Sequence, residues 1–385
     1  MSTNQYTGLH LICVSRLPDY KVTSKIRPLI VSDLVERIYL VRRTSYSAPK
    51  VVCYSPPSWM QKSVLLTELY RLLTILYLCA TRDVHALIGF GLVLHGLYVA
   101  FAGRLFRKPY IQLILGKVEF TIFEQLPYGH NLLDFAIRDA NFIGVRGENT
   151  KAKLRQEGLP VERLFIPHNV FEFSDFQPTS LSKEFDIINV GRLESFRRID
   201  ILLQVIAKLR EQREQLRVII IGGGWTSDRE MKRLQQLSRQ LDLEQIVQFA
   251  GTIDHDKVVE YLNRSRLFFM TSEGDGMPMA MIEAMACGLP CVVPDDADIT
   301  TVAKHEHNSL VVSLGDIDGF VSAINRLLDD DVLYNKLSNR ALQLRSEKAL
   351  DYSLNAVQRI WEKVLVQLPG APHLARSTVN GSTGN

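Results

Sequence analysis

Short apolar runs alternate with longer amphipathic stretches along most of the chain. In the first half, apolar runs of strand length cover residues 9–14, 37–41, 51–54, 84–88 and 109–115, and helix-like stretches cover 25–32, 60–79 and the segment that ends at Leu105. In the second half, strands are predicted at 185–190, 218–221, 247–252, 267–270, 291–293 and 310–312, and helices at 316–329, 331–346 and 354–368. Alternation at this spacing predicts an α/β fold in which helices cover both faces of parallel sheets.

The chain is long enough for two domains. It has 385 residues, and single hydrophobic cores stop growing beyond about 250–300 residues. Residues 171–183 are polar and contain proline, as is typical of a domain junction. We therefore predict an N-terminal domain over 1–172 and a C-terminal domain over 183–350, then a helix over 351–368 that packs back on the first domain and a disordered tail over 369–385.

Composition is typical of a soluble globular protein. Hydrophobic residues make up 46% of the chain and charged residues 23%, and the net charge of +3 gives no indication of nucleic-acid binding. The five cysteines are scattered and form no close metal-binding pair, which is typical of reduced thiols. The first residues are polar and lack the features of a signal peptide. We therefore expect a cytoplasmic protein.

Two apolar stretches approach the length of a membrane span. Glu68 and Arg71 interrupt residues 64–81, and His95 with several glycines interrupts residues 84–106. Neither stretch offers the ~20 clean apolar residues of a spanning helix. Burial in an α/β core is the favoured interpretation, and peripheral contact with the inner face of a membrane stays open.

The strongest chemical signal lies in residues 271–294, TSEGDGMPMAMIEAMACGLPCVVP. After Asp275, Glu283 is the one charged residue of this segment, and a carboxylate in such apolar surroundings needs a partner or a ligand. The loop Gly274-Asp275-Gly276 lets backbone amides approach a ligand, and Pro278 suits the first position of a helix. Because a helix start offers free N–H groups to an anion, the segment fits a nucleotide. An ordinary strand–loop–helix connection is the alternative.

Asp275 and Glu283, followed by Ala-Met-Ala-Cys-Gly-Leu-Pro, resemble the signature of the retaining glycosyltransferases of family four. The resemblance implies the GT-B fold, in which two Rossmann-like domains face a cleft. The family usually has Glu at the first acidic position, where this chain has Asp275, one methylene shorter. The resemblance implies that Asp275 contacts the donor sugar and that Glu283 accepts hydrogen bonds from the ribose hydroxyls.

A second group of candidates follows the predicted strand at 185–190. Arg192 lies in the turn Gly191-Arg192-Leu193, and Arg197 and Arg198 precede the next helix. Two cations beside a diphosphate neutralise the charge that grows as it departs, and an ordinary solvated charge run is the alternative. In the family, a glycine-arginine-leucine turn and a lysine near the helix start bind the donor diphosphate. The resemblance therefore assigns this role to Arg192 and Arg197, with Arg198 as the near alternative.

The resemblance also places smaller elements at the donor. Gly223 corresponds to a glycine turn near the donor, and Thr252 lies in the turn around which relatives hold the nucleotide base. The amides of Gly276 and Met277, just before Pro278, are expected to hold the diphosphate. His255 is expected to lie beside a helix cap rather than to act in catalysis.

The first half departs from the family at two places. The glycine-rich loop that many relatives carry after the first strand is absent around Ser24 and Lys25, and Leu115 stands where many relatives have a catalytic histidine. His95 follows the fourth apolar strand. It could face the cleft and hydrogen-bond a sugar hydroxyl, and a structural histidine on a helix is the alternative.

Together these residues predict a retaining glycosyltransferase that moves a sugar from a nucleoside-diphosphate sugar to a hydroxyl of a glycan or glycolipid acceptor. The donor is expected mainly on the C-terminal domain, and the catalytic candidates are Asp275, Arg192, Arg197 and His95. No cofactor and no metal are expected, because the sequence contains no evident cluster of ligands. A nucleotide-sugar isomerase or hydrolase of the same architecture and a non-catalytic homologue are the alternatives.

Overall fold

The structure is a computed structural model that describes residues 8–17, 19–223, 229–273, 278–295, 299–344 and 352–370. The chain divides into two compact units: the first unit comprises residues 1–171 and 352–385, and the second unit comprises residues 172–351. Each unit contains a parallel β-sheet. The α/β class predicted from the alternating apolar runs is therefore confirmed.

The first unit is built on a seven-stranded sheet. Its strands are β1 (Leu9–Ser15), β2 (Val35–Val41), β3 (Val51–Tyr54), β4 (Ala86–Phe90), β5 (Tyr110–Leu113), β6 (Phe142–Gly144) and β7 (Leu164–Phe165). Its helices up to residue 156 are α1 (Asp19–Val31), α2 (Val64–Thr81), α3 (His95–Leu105), α4 (Lys117–Gln125), α5 (Gly129–Ile137) and α6 (Glu148–Gln156). The strand order is β3-β2-β1-β4-β5-β6-β7, so the direction of winding reverses between β1 and β4, as in Rossmann-like sheets.

Both faces of the central strands β1, β4 and β5 are buried, because these strands are mainly apolar on both sides. Successive side chains of a strand point to opposite faces. Ile12 accordingly belongs to a core cluster with Ile75 of α2, whereas Leu11 belongs to a cluster with Ile26 of α1. A continuous apolar strand such as β1 is thus explained by helices on either side.

The second unit is built on a six-stranded sheet. Its strands are β8 (Phe185–Val190), β9 (Val218–Ile221), β10 (Val247–Gly251), β11 (Ser265–Phe269), β12 (Cys291–Pro294) and β13 (Ser309–Val312). Its helices are α7 (Ile199–Arg210), α8 (Arg229–Gln240), α9 (His255–Asn263), α10 (Met279–Ala286), α11 (Ile299–Val302), α12 (Ile317–Asp329) and α13 (Asp331–Gln343). The strand order is β10-β9-β8-β11-β12-β13, so the winding reverses between β8 and β11.

The last described helix, α14 (Leu354–Leu365), belongs to the first unit and packs against α1. Trp361 is buried on its inner side, and the Trp361 and Phe165 ring centroids lie 5.4 Å apart in an edge-on arrangement. Ser32 Oγ also donates a hydrogen bond to Glu362 at 2.7 Å. The apolar side of this amphipathic helix thus completes the core on one face of the first sheet.

Several elements differ in extent from those predicted. The helix expected at 60–79 is divided into a short 3₁₀ turn and α2, because Ser63 is extended and its side chain accepts a hydrogen bond from the Leu66 amide. Pro278 is the residue before α10 rather than its first residue, because its ψ of 87° is not helical. Helix α1 begins at Asp19, earlier than expected, and α4 and α5 were not predicted.

Candidate functional site

The candidate residues of the second unit lie at the carboxyl edge of its sheet. Strands β8 and β11 are neighbours in parallel register, and the winding reverses between them. The loop after β8 carries Gly191, Arg192 and Arg197, and the loop after β11 leads into α10, which carries Glu283. Ligands of open parallel sheets bind outside the carboxyl ends of the strands at such a reversal. The fold therefore brings both groups of candidates to the expected edge.

Glycines let the turns at this edge approach one another closely. Gly222 has φ +143°, and a Cβ on it would lie 1.7 Å from the carbonyl oxygen of Gly191. The amide of Leu193 donates to the carbonyl of Gly223 at 3.0 Å. A Cβ on Gly223 would lie 2.5 Å from Thr252 Oγ1. The structure thus brings together Gly191, Gly223 and Thr252 as neighbouring parts of one surface.

The turn that carries the arginines is fastened to the loop after β11. Thr271 is fully buried, and its Oγ1 donates to the carbonyl oxygens of Arg197 at 3.1 Å and Arg198 at 2.8 Å. The amide of Glu273 donates to the carbonyl of Phe196 at 2.7 Å. These bonds fix the backbone of the turn across the reversal point of the sheet, and they orient the arginine side chains that project from it.

Arg192 and Arg197 lie against the same aromatic ring. The guanidinium carbon of Arg192 is 6.0 Å from the centroid of Phe196, and that of Arg197 is 5.1 Å from it. Arg197 Nη1 also donates to Ser272 Oγ at 3.1 Å, and Arg192 Nη1 is 3.9 Å from Glu194. Two guanidinium groups held beside one ring concentrate positive charge where an anion can bind.

Arg198 is placed differently. Its φ of 48° is left-handed, and its Nε and Nη2 donate to the two carboxylate oxygens of Asp200, each at 3.2 Å. Its Nη1 also lies 3.6 Å from Glu273. These hydrogen bonds, first of all those to Asp200, raise the pKa of Arg198 above its ordinary value. Because Arg197 lies against the same ring as Arg192 and Arg198 is directed to Asp200, the arrangement favours Arg197 as the second anion-binding arginine.

Glu283 is a buried carboxylate with a histidine partner. It is 6% exposed, and its Oε1 lies 3.0 Å from Nε2 of His255, the first residue of α9. The hydrogen bond to Glu283 raises the pKa of His255 above its ordinary value. The side chain of His255 is 71% exposed, and the ring of Phe176 lies edge-on to it with centroids 5.4 Å apart. The buried carboxylate of Glu283 is therefore bonded to a histidine whose side chain is largely exposed.

His95 occupies a buried position in the first unit. It is 2% exposed, and its Nε2 lies 3.3 Å from Arg71 Nη1. That guanidinium group also donates to Glu68 at 2.5 Å. Burial, and secondly the charge of Arg71, lower the pKa of His95 well below its ordinary value. A neutral, buried ring in a polar network favours the structural alternative for His95.

Two residues that matter to these sites were missed by the sequence analysis. His255 was expected only beside a helix cap, although its position after a strand end, at the start of a helix, could have suggested the site edge. Glu119 joins two loops at the carboxyl edge of the first sheet, because its oxygens accept the amides of Leu92 at 2.8 Å and Leu115 at 2.7 Å. Asp275, Gly276 and Met277 lie outside the described residues.

One trio in the described part of the chain has metal-ligand spacing, and it belongs to the first unit. His10, Asp83 and His85 gather at the amino ends of β1 and β4. Nδ1 of His85 accepts the amide of His10 at 3.1 Å, so the neutral ring carries its proton on Nε2. That nitrogen has no lone pair for a metal, and the trio does not fit a metal site.

The model of the family described as "Glycosyl transferases group 1" matches residues 170–344. This stretch, a little under half of the chain, is similar to the group 1 glycosyl transferases. It contains all six strands of the second sheet, together with the arginines and Glu283. The predicted family is confirmed at the level of group 1, and the site residues of the second unit lie inside the matched region.

Curated relatives share part of this family region. N-acetyl-alpha-D-glucosaminyl L-malate synthase of Bacillus anthracis is 26% identical over 247 residues, which are 60% of this chain and 62% of that protein. D-inositol 3-phosphate glycosyltransferase of Corynebacterium jeikeium is 26% identical over 187 residues, 48% of this chain and 44% of that protein. The chain thus aligns with less than two thirds of the length of either relative.

Solved structures resemble nearly the whole chain. The Anabaena protein HepE, in a complex with UDP and glucose, has a TM-score of 0.76 at 15% identity and covers 93% of this chain and 99% of its own. Sucrose-phosphate synthase from Thermosynechococcus elongatus has a TM-score of 0.75 at 17% identity and covers 92% of this chain and 98% of its own. At these identities the likeness concerns the fold, and it confirms the predicted GT-B fold class.

Proposed function

We propose that the protein is a glycosyltransferase that moves a sugar from a nucleoside-diphosphate sugar to a hydroxyl of a glycan or glycolipid acceptor, with retention at the anomeric carbon. The observation that carries the proposal is the pair of guanidinium groups, Arg192 and Arg197, on one aromatic ring at the reversal point of the second sheet. The match of residues 170–344 to the family model of the group 1 glycosyl transferases supports it.

The arginine pair supplies what departure of a diphosphate requires. When the bond between the sugar and the diphosphate breaks, negative charge grows on the phosphate oxygens, and cations fixed beforehand lower the free energy of that state. The backbone bonds from Thr271 and Glu273 hold the turn that carries both arginines. Because two guanidinium groups can neutralise a diphosphate, we propose that transfer requires no metal and no other cofactor.

In the proposal, Glu283 binds the nucleoside end of the donor. A carboxylate has two oxygens and can accept from both hydroxyls of a ribose. The contact between Oε1 and His255 orients this carboxylate at the carboxyl edge, so His255 acts as a positioning residue in the proposal. Asp275 is proposed to contact the sugar on the strength of the family signature.

The surroundings of the protein are also part of the proposal. The described cysteines are free thiols, and four of the five are buried, which suits a reducing compartment. We therefore propose that the protein acts in the cytoplasm. The names of the relatives, a malate glucosaminyl synthase and an inositol phosphate glycosyltransferase, support a hydroxyl-bearing acceptor.

A donor panel tests the function. Uridine, guanosine and adenosine diphosphate sugars are incubated with the protein, with and without candidate acceptors, and the released nucleoside diphosphate and the sugar products are measured. We expect release from one donor class to rise when the right acceptor is added, and the product linkage to keep the donor's anomeric configuration. If the donor alone gave large amounts of epimer or free sugar, the protein would instead be an isomerase or a hydrolase. Absence of heat with every nucleoside diphosphate in calorimetry would indicate a non-catalytic homologue.

A further inference from the structure

Helix α2 of the first unit turns an apolar face to solvent. Leu65, Leu69, Leu73 and Tyr77 follow one another at intervals of four residues, and they are 77%, 49%, 55% and 52% exposed. Residues four apart lie above one another on one side of a helix. The side chains therefore form a continuous stripe along the helix, which we call the α2 stripe.

The charged residues of α2 do not interrupt this stripe. Glu68 and Arg71 are the two charged residues of the helix, and both are buried and bonded to each other. An open groove of about 400 Å³ runs beside the stripe, and the residues that line it include Tyr54, Met60 and Leu69. Large contiguous apolar surfaces are uncommon on proteins that have no partner there.

The apolar surface continues beyond α2. Trp59 precedes the helix and is 62% exposed, and α3, which packs beside α2, exposes Phe101 to 44% and Leu105 to 57%. Tryptophan and tyrosine are enriched where proteins meet the boundary between lipid and water. The stripe and these neighbours together have the residue types of an interfacial surface.

Exposed cations lie near both ends of α2. Arg43 and Lys62 are exposed near the start of α2, where Arg43 Nη2 donates to the carbonyl of Gln61, and Arg82 is exposed at its end. The acidic neighbour at that end is Asp83, whose carboxylate lies 3.9 Å from His85.

In the whole sequence, residues 1–171 contain 21 Lys and Arg against 12 Asp and Glu, a net charge of +9. Residues 172–351 contain 21 Lys and Arg against 29 Asp and Glu, a net charge of −8. The positive charge of the protein is thus concentrated in the unit that carries the stripe.

We propose that the α2 stripe and its flanking cations bind the surface of an anionic phospholipid membrane. Among the described helices, α2 has the length and composition of a membrane span, but its inner side, which includes Ile75 and Leu78, is packed into the core of the first unit. It therefore lies on the membrane rather than across it. A second copy fits the surface less well, because two faces with the same excess of positive charge would repel each other.

Vesicle flotation of the full chain tests the proposal. The protein is mixed with phosphatidylcholine vesicles, with or without phosphatidylglycerol, at low and high salt. We expect binding to the vesicles that contain phosphatidylglycerol, and weaker binding at high salt. Replacing Leu65, Leu69 and Leu73 together by Gln, which keeps helix propensity, removes apolar area and should weaken binding by at least about tenfold. Replacing Lys62 and Arg82 by Gln should weaken binding to anionic vesicles by about tenfold or more.

A matched control is available in the second unit. Val332 on α13 is 81% exposed, and Val332→Gln should leave vesicle binding unchanged. Circular dichroism of each variant checks that the fold is kept. Wild-type protein that does not float with anionic vesicles, or a triple variant that floats as well as wild type, would overturn the proposal. So would a wild-type dimer that the triple variant converts to monomer without any lipid binding. Flotation needs no donor, so its failure leaves the donor panel unaffected.

Discussion

The buried carboxyl group of Glu119 makes the stability of the first unit depend on pH in a specific way. Burial raises the pKa of Glu119 from 4.5 to about 7, although hydrogen bonds from backbone amides, including those of Leu115 and Leu92, oppose the rise. In the unfolded chain the group ionises near its ordinary pKa. Between pH 4.5 and 7 the folded protein therefore retains a proton that the unfolded chain has lost.

The sign and size of the effect follow from this difference. The folded pKa is raised, so the contribution to stability is complete below about pH 4.5 and is lost as the pH rises through about 7. A shift of this size corresponds to about 3 kcal/mol. In Glu119→Gln the dependence disappears, and the loss of one of the two amide hydrogen bonds adds a constant cost of about 1 kcal/mol at every pH.

Urea unfolding at a series of pH values measures both the pH-dependent contribution of Glu119 and the constant cost of the substitution. Trp361 lies in the core of the first unit, and replacing Trp59 and Trp225 by Phe leaves it as the one fluorescent tryptophan. We expect wild type to lose about 3 kcal/mol relative to Glu119→Gln between pH 4.5 and 8. Taking the difference in the free energy of unfolding between the two proteins cancels the contributions of the other titrating groups, which both proteins share. A difference that stays flat over this range would refute the argument from burial.

Two further predictions concern residues at the carboxyl edge of the second sheet. Gly222→Ala should cost about 3 kcal/mol or more in the unfolding of the second unit, because the new Cβ meets the Gly191 carbonyl oxygen. Gly251→Ala is the control, with φ +70° but no atom within 4 Å of its Cβ, and should cost only about 1 kcal/mol; equal costs would contradict the close approach. In a proton NMR titration, the raised pKa of His255 should fall in Glu283→Gln, because the hydrogen bond to the carboxylate is lost. That pair therefore stabilises the fold at low pH and less as the pH rises through the His255 pKa, and an unchanged pKa would refute the pairing.

The strands were predictable because they are short apolar runs between turn residues. The predicted bounds of β3, β8 and β9 agree with the structure, since each run is mainly apolar and is followed by a polar residue or a glycine. Helices α4 and α5 escaped prediction because Pro127 and Gly129 break residues 117–137 into pieces too short for a clear helical period.

The site was predictable only as far as local sequence determines it. Arg192 and Arg197 follow from the strand–turn–helix pattern, but their separation from Arg198 depends on the left-handed backbone of Arg198 and its bonds to Asp200. The pairing of Glu283 with His255 joins residues that are far apart in the sequence, on helices brought together by the sheet. The burial of His95 beside Arg71 likewise depends on α2 and α3 packing together. Contacts of this kind leave no periodic signal.

The proposed function depends on the Arg192 and Arg197 pair holding a diphosphate. Isothermal titration of uridine, guanosine and adenosine diphosphates into wild type, Arg192→Ala and the control Arg217→Ala tests it most directly, because Arg217 is exposed and precedes β9 at the opposite edge of the sheet. A lost hydrogen bond between charged groups costs about 1.5–3 kcal/mol, so we expect the dissociation constant of the tightest ligand to rise by roughly 10- to 100-fold in Arg192→Ala and to stay unchanged in Arg217→Ala. Equal affinities in wild type and Arg192→Ala would show that Arg192 does not hold the diphosphate.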